Sequence, residues 1–260
     1  MRMLYLDAFS GISGDMFIGA LLDLGLDFNA LKTELAKLHV HDYELTQERQ
    51  AQSNIYGTSF DVVVAGDKDH GFIEHHHHHA AGHHHDHEAR HLADIVALID
   101  ASDLSITVKE HAKAIFVEIA KAEATVHHMP LAEVHFHEVG ALDSIVDIVG
   151  ACVGLELMHI DTIMASPLSD GSGFINVIHG QMPVPVPAVM QMRVGSHIPI
   201  KQRFDVHTEL ITPTGMGIAK TLVHKFGPLP ENAVLRSVMV LAIVIPAVLM
   251  PYGQFYSKKN

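Results

Sequence analysis

Cysteine is nearly absent from this chain of 260 residues, which holds only Cys152. A single thiol excludes a disulfide framework and a thiolate metal site, and it favours a reducing, cytoplasmic setting. Basic residues are also scarce, since 17 Lys and Arg stand against 30 Asp and Glu for a formal net charge of −13. Because that charge repels nucleic-acid phosphates and suits cations, we expect no nucleic-acid partner.

Long apolar runs are missing as well. The longest, from Val238 to Met250, covers 13 residues and is broken by Pro246, whereas a membrane-spanning helix needs about 20. Asp7 and Asp15 interrupt the N-terminal segment before the apolar core of a signal peptide can form. The sequence therefore predicts no membrane association, and the lack of a nucleophile-elbow motif disfavours covalent catalysis.

Strand-like and helix-like segments alternate along the chain, which predicts an α/β (or α+β) fold with a mixed sheet, flanking helices and a disordered internal His-rich loop. We divide the chain into an α/β segment (1–69), the His-rich loop (70–91), the remainder of the α/β domain (92–235) and a divergent apolar tail (236–260).

Four helices are expected from local signals. One helix is expected near Thr107 with Glu110 as its capping-box partner, and another over roughly 141–158. Prolines before Pro187 predict an extended approach into a short helix there. A final helix is expected to begin near Met216, after the turn TPTG, and to end near Gly227.

The most specific compositional signal is a histidine-rich tract, HGFIEHHHHHAAGHHHDHEARH, with 11 histidines in the 22 residues from His70 to His91. Neutral imidazoles suit Ni, Cu, Zn and Co ions, and a flexible tract lets several histidines surround one ion. An expression tag would lie at a terminus, and a passive spacer would be rich in Gly, Ser and Pro. The tract therefore predicts a metal store or delivery arm, with the candidate ligands His75, His76, His77, His78, His79, His83, His84, His85 and His87.

A second constellation, HFHEVGALDSIVDIVG, begins at His135. His135 and His137 face the same side of an extended segment, and Asp143 and Asp147 lie four residues apart on one helix face. Together with Glu138, these groups suit a fixed metal, or a base beside a metal. The competing interpretation is a solvated helix start, because acids near a helix N-terminus complement its dipole. Spacing alone leaves both interpretations open.

A third feature is the turn DAFSGISGDM, in which an aspartate ends a strand and a Gly/Ser-rich turn opens a helix. Such a turn offers backbone N–H groups to an anion and carboxylates to a cation. It lacks the lysine of a P-loop, so a plain strand-to-helix connection explains it equally well. The candidate contacts for a phosphate or a metal are Asp7, Ser10, Gly11, Gly14 and Asp15.

In combination and in this order, these motifs resemble one family. The motifs that carry the resemblance are LYLDAFSGISGDMFIGALLDLG, the histidine tract, HFHEVGALDSIVDIVG, and HGQMPVPVPAV followed by TPTG. The family is that of the nickel-insertion proteins for the pyridinium-3,5-bisthiocarboxylic acid mononucleotide, which complete the nickel-pincer cofactor of lactate racemase. The resemblance runs from about Met1 to Leu235.

The resemblance implies a reaction that uses CTP, with Mg²⁺ or Mn²⁺, to place Ni²⁺ between two thiocarboxylate sulfurs and a ring carbon. Since the ring must lose a proton, His137, Glu138 and Asp143 are the candidate catalytic residues. Ni²⁺ would be gathered by the tract and held by His135, His137 and Asp147. The implied partners are the thiolated pyridinium mononucleotide, the family's C-terminal domain, lactate racemase downstream, and a second copy of this chain.

The C-terminal part of the chain departs from the family's pattern. Family members are generally longer, and the resemblance fades at about Arg236, where an apolar ending like that of a shifted reading frame begins. Nucleotide use would then belong to the further domain, and the apolar tail becomes a candidate surface for association. Two alternatives remain: a non-enzymatic nickel store or metallochaperone, and a metal-dependent hydrolase with His135, His137 and Asp143 around an activated water.

Overall fold

The computed structural model describes residues 2–52, 55–64, 90–136, 142–177, 180–231, 234–240 and 253–259. Its α-helices are α1 (Gly14–Asp23), α2 (Phe28–Leu35), α3 (Leu92–Ala101), α4 (Ile106–Val126), α5 (Leu142–Leu157), α6 (Pro187–Arg193) and α7 (Pro213–Leu222). Its strands are β1 (Arg2–Asp7), β2 (Tyr43–Gln52), β3 (Ile55–Val64), β4 (Arg90–His91), β5 (His135–Phe136), β6 (Thr162–Ala165), β7 (Leu168–Asp170), β8 (Phe174–Val177), β9 (Gly180–Pro183), β10 (Ile200–Gln202), β11 (Lys225–Phe226), β12 (Arg236–Val240) and β13 (Gly253–Lys259).

The main sheet has seven strands in the order β11-β6-β1-β13-β12-β3-β2. β1 and β11 each pair in parallel with β6, while β1 pairs antiparallel with β13 and β2 pairs antiparallel with β3. The predicted mixed sheet with flanking helices is therefore confirmed. The predicted disordered loop and its histidines fall on residues 65–89, outside the described part of the chain.

Helix α5 packs against α1 at close range because two glycines of α5 face large side chains of α1. A Cβ added at Gly150 would lie 2.8 Å from Cδ1 of Ile18, and one at Gly154 would lie 2.7 Å from Cδ1 of Leu21. Both partners are fully buried. This contact fixes the first turn of α1 against α5, where the candidate residues of both helices lie.

Two predicted helix starts need correction. Helix α4 is capped by Ser105, whose hydroxyl accepts a hydrogen bond from the backbone N–H of Val108, so Glu110 is not its capping partner. Helix α7 begins at Pro213 rather than Met216, because Thr212 caps it and a proline is favoured at the first helical position. It ends at Leu222, before Gly227.

The other expected elements are present. The short helix begins at Pro187 and α5 covers Leu142–Leu157, as predicted. The segment interpreted as an apolar tail supplies β12 and β13, which pair antiparallel with each other inside the main sheet. Among the described helices, none is both long and apolar enough to cross a lipid bilayer.

Candidate functional site

Two carboxylates of the predicted motifs meet where α1 begins. Asp15 lies in the first turn of α1, and its backbone N–H lies near enough to the carboxylate of Asp147 on α5 to lower the pKa of that group. Gly14 makes this approach feasible, because a Cβ there would lie 2.7 Å from both Cβ and Oδ2 of Asp147. The structure thus joins the DAFSGISGD turn to the second constellation, which the spacing of the sequence alone did not indicate.

Both carboxylates are partly buried, and their desolvation changes their protonation. Desolvation raises the pKa of Asp147 well above its usual value, and the nearby charges of Asp15, Asp143 and Asp61 raise it further. Desolvation also raises the pKa of Asp15, although hydrogen bonds from the Ser13 hydroxyl and from backbone N–H groups oppose the shift. The pair can therefore retain a proton at a pH where exposed carboxylates have lost theirs.

One carboxylate oxygen of Asp147 lacks a hydrogen bond within the described residues. Its Oδ1 is buried and finds no hydrogen-bond partner in the described part of the structure. An unsatisfied buried oxygen is costly, and a proton on this carboxyl group or a bound cation would relieve that cost. Asp143, one turn earlier on α5, is exposed, and its Oδ1 accepts a hydrogen bond from the backbone N–H of Ser144.

The turn between β1 and α1 is closed by the protein's own backbone. Gly11 has φ +88°, donates its N–H to the carbonyl of Ala8, and leaves no room for a Cβ beside the carbonyl of Leu210. The N–H of Ile12 donates to that same Leu210 carbonyl over 2.9 Å. Few N–H groups of the turn are left for a phosphate, so the nearby carboxylates favour the cation among the ligands proposed for this turn.

The remaining residues of the turn differ in their surroundings. Asp7 ends β1 and is half-buried. Ser10 is buried, and among the described residues its hydroxyl finds no hydrogen-bond partner. The roles of Asp7 and Ser10 stay predictions.

His135 lies on β5, where it lines a cavity of about 60 Å³. The cavity has room for a few waters or a small chemical group. Its walls combine polar and aliphatic residues, namely Glu123, Val126, His127, Phe136, Ile175, Val177, Met182, Val186, Pro187, Ala188, Glu209 and Pro213. His127 and Glu123 form an ion pair of 3.3 Å when the histidine is protonated.

Several predicted site residues lie outside the described part of the chain. These are His137 and Glu138, together with the tract histidines His75, His76, His77, His78, His79, His83, His84, His85 and His87. Within the described residues, no three His, Cys, Asp or Glu side chains are arranged to hold a metal ion. The predicted convergence of His135 with Asp143 and Asp147 therefore remains a prediction that depends on residues 137–141.

Sequence reasoning missed the desolvation of the Asp147 carboxyl group and the nearby charge of Asp61, which helps to raise its pKa. One signal was available: apolar residues surround Asp147 on every side of the helix in SIVDIVGACVG, which is typical of a helix without a solvated face. Cys152, from the same segment, is buried, and burial raises the pKa of its thiol to about 12. The pairing of Asp147 with Asp15 carried no local signal, because it depends on the packing of α1 against α5.

Comparison with known proteins adds the following. A family model described as nickel insertion protein matches residues 4–241, which extends the likeness past Arg236 through β12. The pyridinium-3,5-bisthiocarboxylic acid mononucleotide nickel insertion protein of Lactiplantibacillus plantarum is 86% identical over 235 residues, covering 90% of this chain and 56% of the relative. The protein of the same name from Acetivibrio thermocellus is 50% identical, over 90% of this chain and 55% of the relative.

A further relative, named as a putative nickel insertion protein, comes from Dictyoglomus thermophilum and is 42% identical over 88% of this chain and 54% of its own length. The chain thus spans about half the length of the curated relatives it matches. No solved structure matches it.

Proposed function

This chain belongs to the nickel insertion protein family, and from that premise we propose that it gathers Ni²⁺ and inserts it into a pyridinium bisthiocarboxylate mononucleotide. The product is the nickel-pincer cofactor that activates lactate racemase. The observation that carries the proposal is the family match over residues 4–241. The full activity is that of a CTP-dependent nickel insertase of the lyase class, acting in the cytoplasm.

The chemistry of insertion defines what the site must supply. Two thiocarboxylate sulfurs bind Ni²⁺, a carbon–nickel bond forms, and the ring carbon releases its hydrogen as a proton. A protein base must accept that proton, and His137, Glu138 and Asp143 are the proposed acceptors. The carboxylate pair of Asp15 and Asp147 supports a cation or a proton near the start of α5, in line with the proposed metal role of Asp147.

The cavity beside His135 supports binding of a small part of the organic precursor, because about 60 Å³ holds a small chemical group and not the whole mononucleotide. Aliphatic walls at Ile175, Val177 and Met182 suit the faces of a planar ring, and imidazoles suit nickel. His135 is accordingly the proposed nickel ligand at this cavity. The proposed phosphate or metal contacts of the first turn are Asp7, Ser10, Gly11, Gly14 and Asp15.

We propose that the use of CTP with Mg²⁺ or Mn²⁺ belongs to the further domain of the longer relatives.

The proposal is tested by incubating the chain with NiCl₂, CTP, MgCl₂ and the thiolated precursor, with and without that domain from the Lactiplantibacillus plantarum relative. Nickel-containing product, measured by mass spectrometry, is expected only when both parts are present. Product formed by the added domain alone would remove the role proposed for this chain.

A matched pair of variants separates insertion from storage. Glu138→Gln is expected to lower product formation at every nickel concentration, while nickel bound per chain stays unchanged. Replacing the tract histidines by serine is expected to do the reverse. If Glu138→Gln, His137→Ala and Asp143→Asn all retain full product formation, the base lies elsewhere, and the alternative of a metallochaperone gains support.

A further inference from the structure

Two histidines from distant parts of the chain face each other across a short antiparallel pairing. β4 and β5 align His91 with His135, and the ring centroids lie 4.1 Å apart at an interplanar angle of 48°. His91 is the last histidine of the tract in the sequence, and His135 lines the cavity described above. The pair therefore connects the end of the tract to the wall of the cavity.

His91 is held in place at the start of α3, where it is the N-cap. Its backbone N–H donates to Oδ2 of Asp94 over 3.0 Å, and its side chain is turned toward the backbone N–H of Asp94 in a capping box. Its Nδ1 is buried and makes no hydrogen bond of ordinary geometry within the described residues. An imidazole has two ring nitrogens, so one can bind a metal ion while the other faces the cap.

The chemistry of two imidazoles indicates which ligand fits. Neutral imidazole nitrogens bind Ni²⁺, Cu²⁺ and Zn²⁺ readily, and two protein ligands leave most coordination positions open to water or to an incoming ligand. A closed structural site would need four protein ligands. An open site with two imidazoles suits an ion that is received and passed on.

We propose that His91 and His135 form a two-imidazole relay site that receives Ni²⁺ from the histidine tract and presents it at the cavity lined by His135. The proposal deepens the function proposed above and rests on it for the direction of transfer. The existence of the site does not depend on the insertion reaction.

The test uses the full chain with His70, His75–His79, His83–His85 and His87 replaced by serine, so that the tract no longer masks weaker sites. Ni²⁺ binding is measured by equilibrium dialysis and by the paramagnetic broadening of ¹⁵N-labelled imidazole signals. We expect one Ni²⁺ per chain at the tightest site, with the signals of His91 and His135 broadened before those of other histidines.

Substitution gives the second arm of the test. His91→Phe and His135→Phe keep an aromatic ring in the pair, and each is expected to weaken binding at this site at least tenfold. His111→Phe, at an exposed position on α4, is the matched control and is expected to leave binding unchanged. The broadening experiment needs no substitution, so it remains decisive if a phenylalanine variant fails to fold.

The outcomes separate this proposal from the proposed function. Unchanged binding in both phenylalanine variants, or broadening that spares both rings, overturns the relay site. If the pair binds Ni²⁺ but the parent chain forms no nickel-containing product in the full reaction mixture, the proposed function is overturned and the metal site is retained. If His91→Phe forms product more slowly than the parent chain at limiting nickel, the result supports both the relay site and the proposed function.

Discussion

At the scale of single residues, the most consequential feature is the desolvation of the Asp147 carboxyl group, whose side chain is partly buried with Oδ1 out of reach of solvent. A raised pKa means that the folded chain binds the proton more tightly than the unfolded chain does. Ionisation of Asp147 therefore lowers the free energy of unfolding as pH rises from the ordinary aspartate value through the raised one. Such a costly carboxylate is typical of a functional site.

Asp147→Asn is expected to raise the free energy of unfolding at pH 8 and to have little effect near pH 4, where the native carboxyl is already protonated. Each unit of raised pKa corresponds to about 1.4 kcal/mol. Urea denaturation from pH 4 to pH 8 measures the difference. Asp205→Asn is the control, because the Arg203 guanidinium lowers the pKa of Asp205 whereas the pKa of Asp147 is raised. This control is expected not to raise the free energy of unfolding at pH 8. A pH-independent effect of Asp147→Asn would contradict the assignment.

Gly14 is the second residue on which the carboxylate pair depends. In Gly14→Ala the new methyl group would lie 2.7 Å from the Asp147 side chain, so the two helices must separate or Asp147 must move. We expect a loss of about 1–3 kcal/mol, the usual cost of overpacking. Gly227→Ala is the matched control, because nothing lies within 4 Å of the added Cβ. Equal Tm values for the two variants would show that the contact is not tight.

At the scale of elements, Asp170 at the end of β7 fixes the segment that leads into α7. Its Oδ1 accepts hydrogen bonds from the backbone N–H groups of Gly171, Leu210 and Ile211, at 2.8, 2.9 and 3.2 Å. The same segment lies against the first turn, where the N–H of Ile12 donates to the Leu210 carbonyl. This carboxylate thus positions both sides of the turn between β1 and α1.

Asp170→Ala is expected to destabilise the chain by about 3 kcal/mol or more, because it leaves three buried N–H groups without an acceptor. Asp170→Asn keeps an acceptor oxygen and is expected to cost about 1 kcal/mol or less. Guanidinium denaturation of both variants compares them directly. Similar losses in the two variants would mean that charge, rather than the acceptor oxygen, holds the segment.

The elements also indicate what could be predicted from sequence. Apolar periodicity predicted β1, α1 and α5, because each buries a continuous set of apolar residues encoded locally. The capping of α4 by Ser105 and the start of α7 at Thr212 were missed, although Ser and Thr are favoured caps. The pairing of His91 with His135 could not be predicted, since it depends on which strands become neighbours in three dimensions.

At the scale of the whole molecule, the candidate groups form two described sites and one tract. The carboxylate pair lies where α1 meets α5, and the cavity with His135 lies beside the N-termini of α6 and α7. Residues 137–141 connect His135 to α5 in the sequence and include His137 and Glu138. We propose that nickel passes from the tract to this region, where the base acts.

The separate roles of the tract and of the catalytic groups predict different effects of nickel supply. If the tract only gathers the ion, a higher nickel concentration restores the activity of a chain without the tract histidines. A higher nickel concentration does not restore the activity of a chain that lacks a catalytic group. Serine replacement of His75–His79, His83–His85 and His87 should also leave Tm unchanged without nickel, which circular dichroism can check.

The central measurement is the rate of nickel-pincer product formation against Ni²⁺ concentration, with the further domain, CTP and precursor supplied, for the parent chain and the serine-replaced chain. The account predicts the same maximal rate for both, with half-saturation shifted to higher nickel by tenfold or more in the replaced chain. A maximal rate that stays near zero at saturating nickel would contradict it, because the tract would then be part of the insertion site itself.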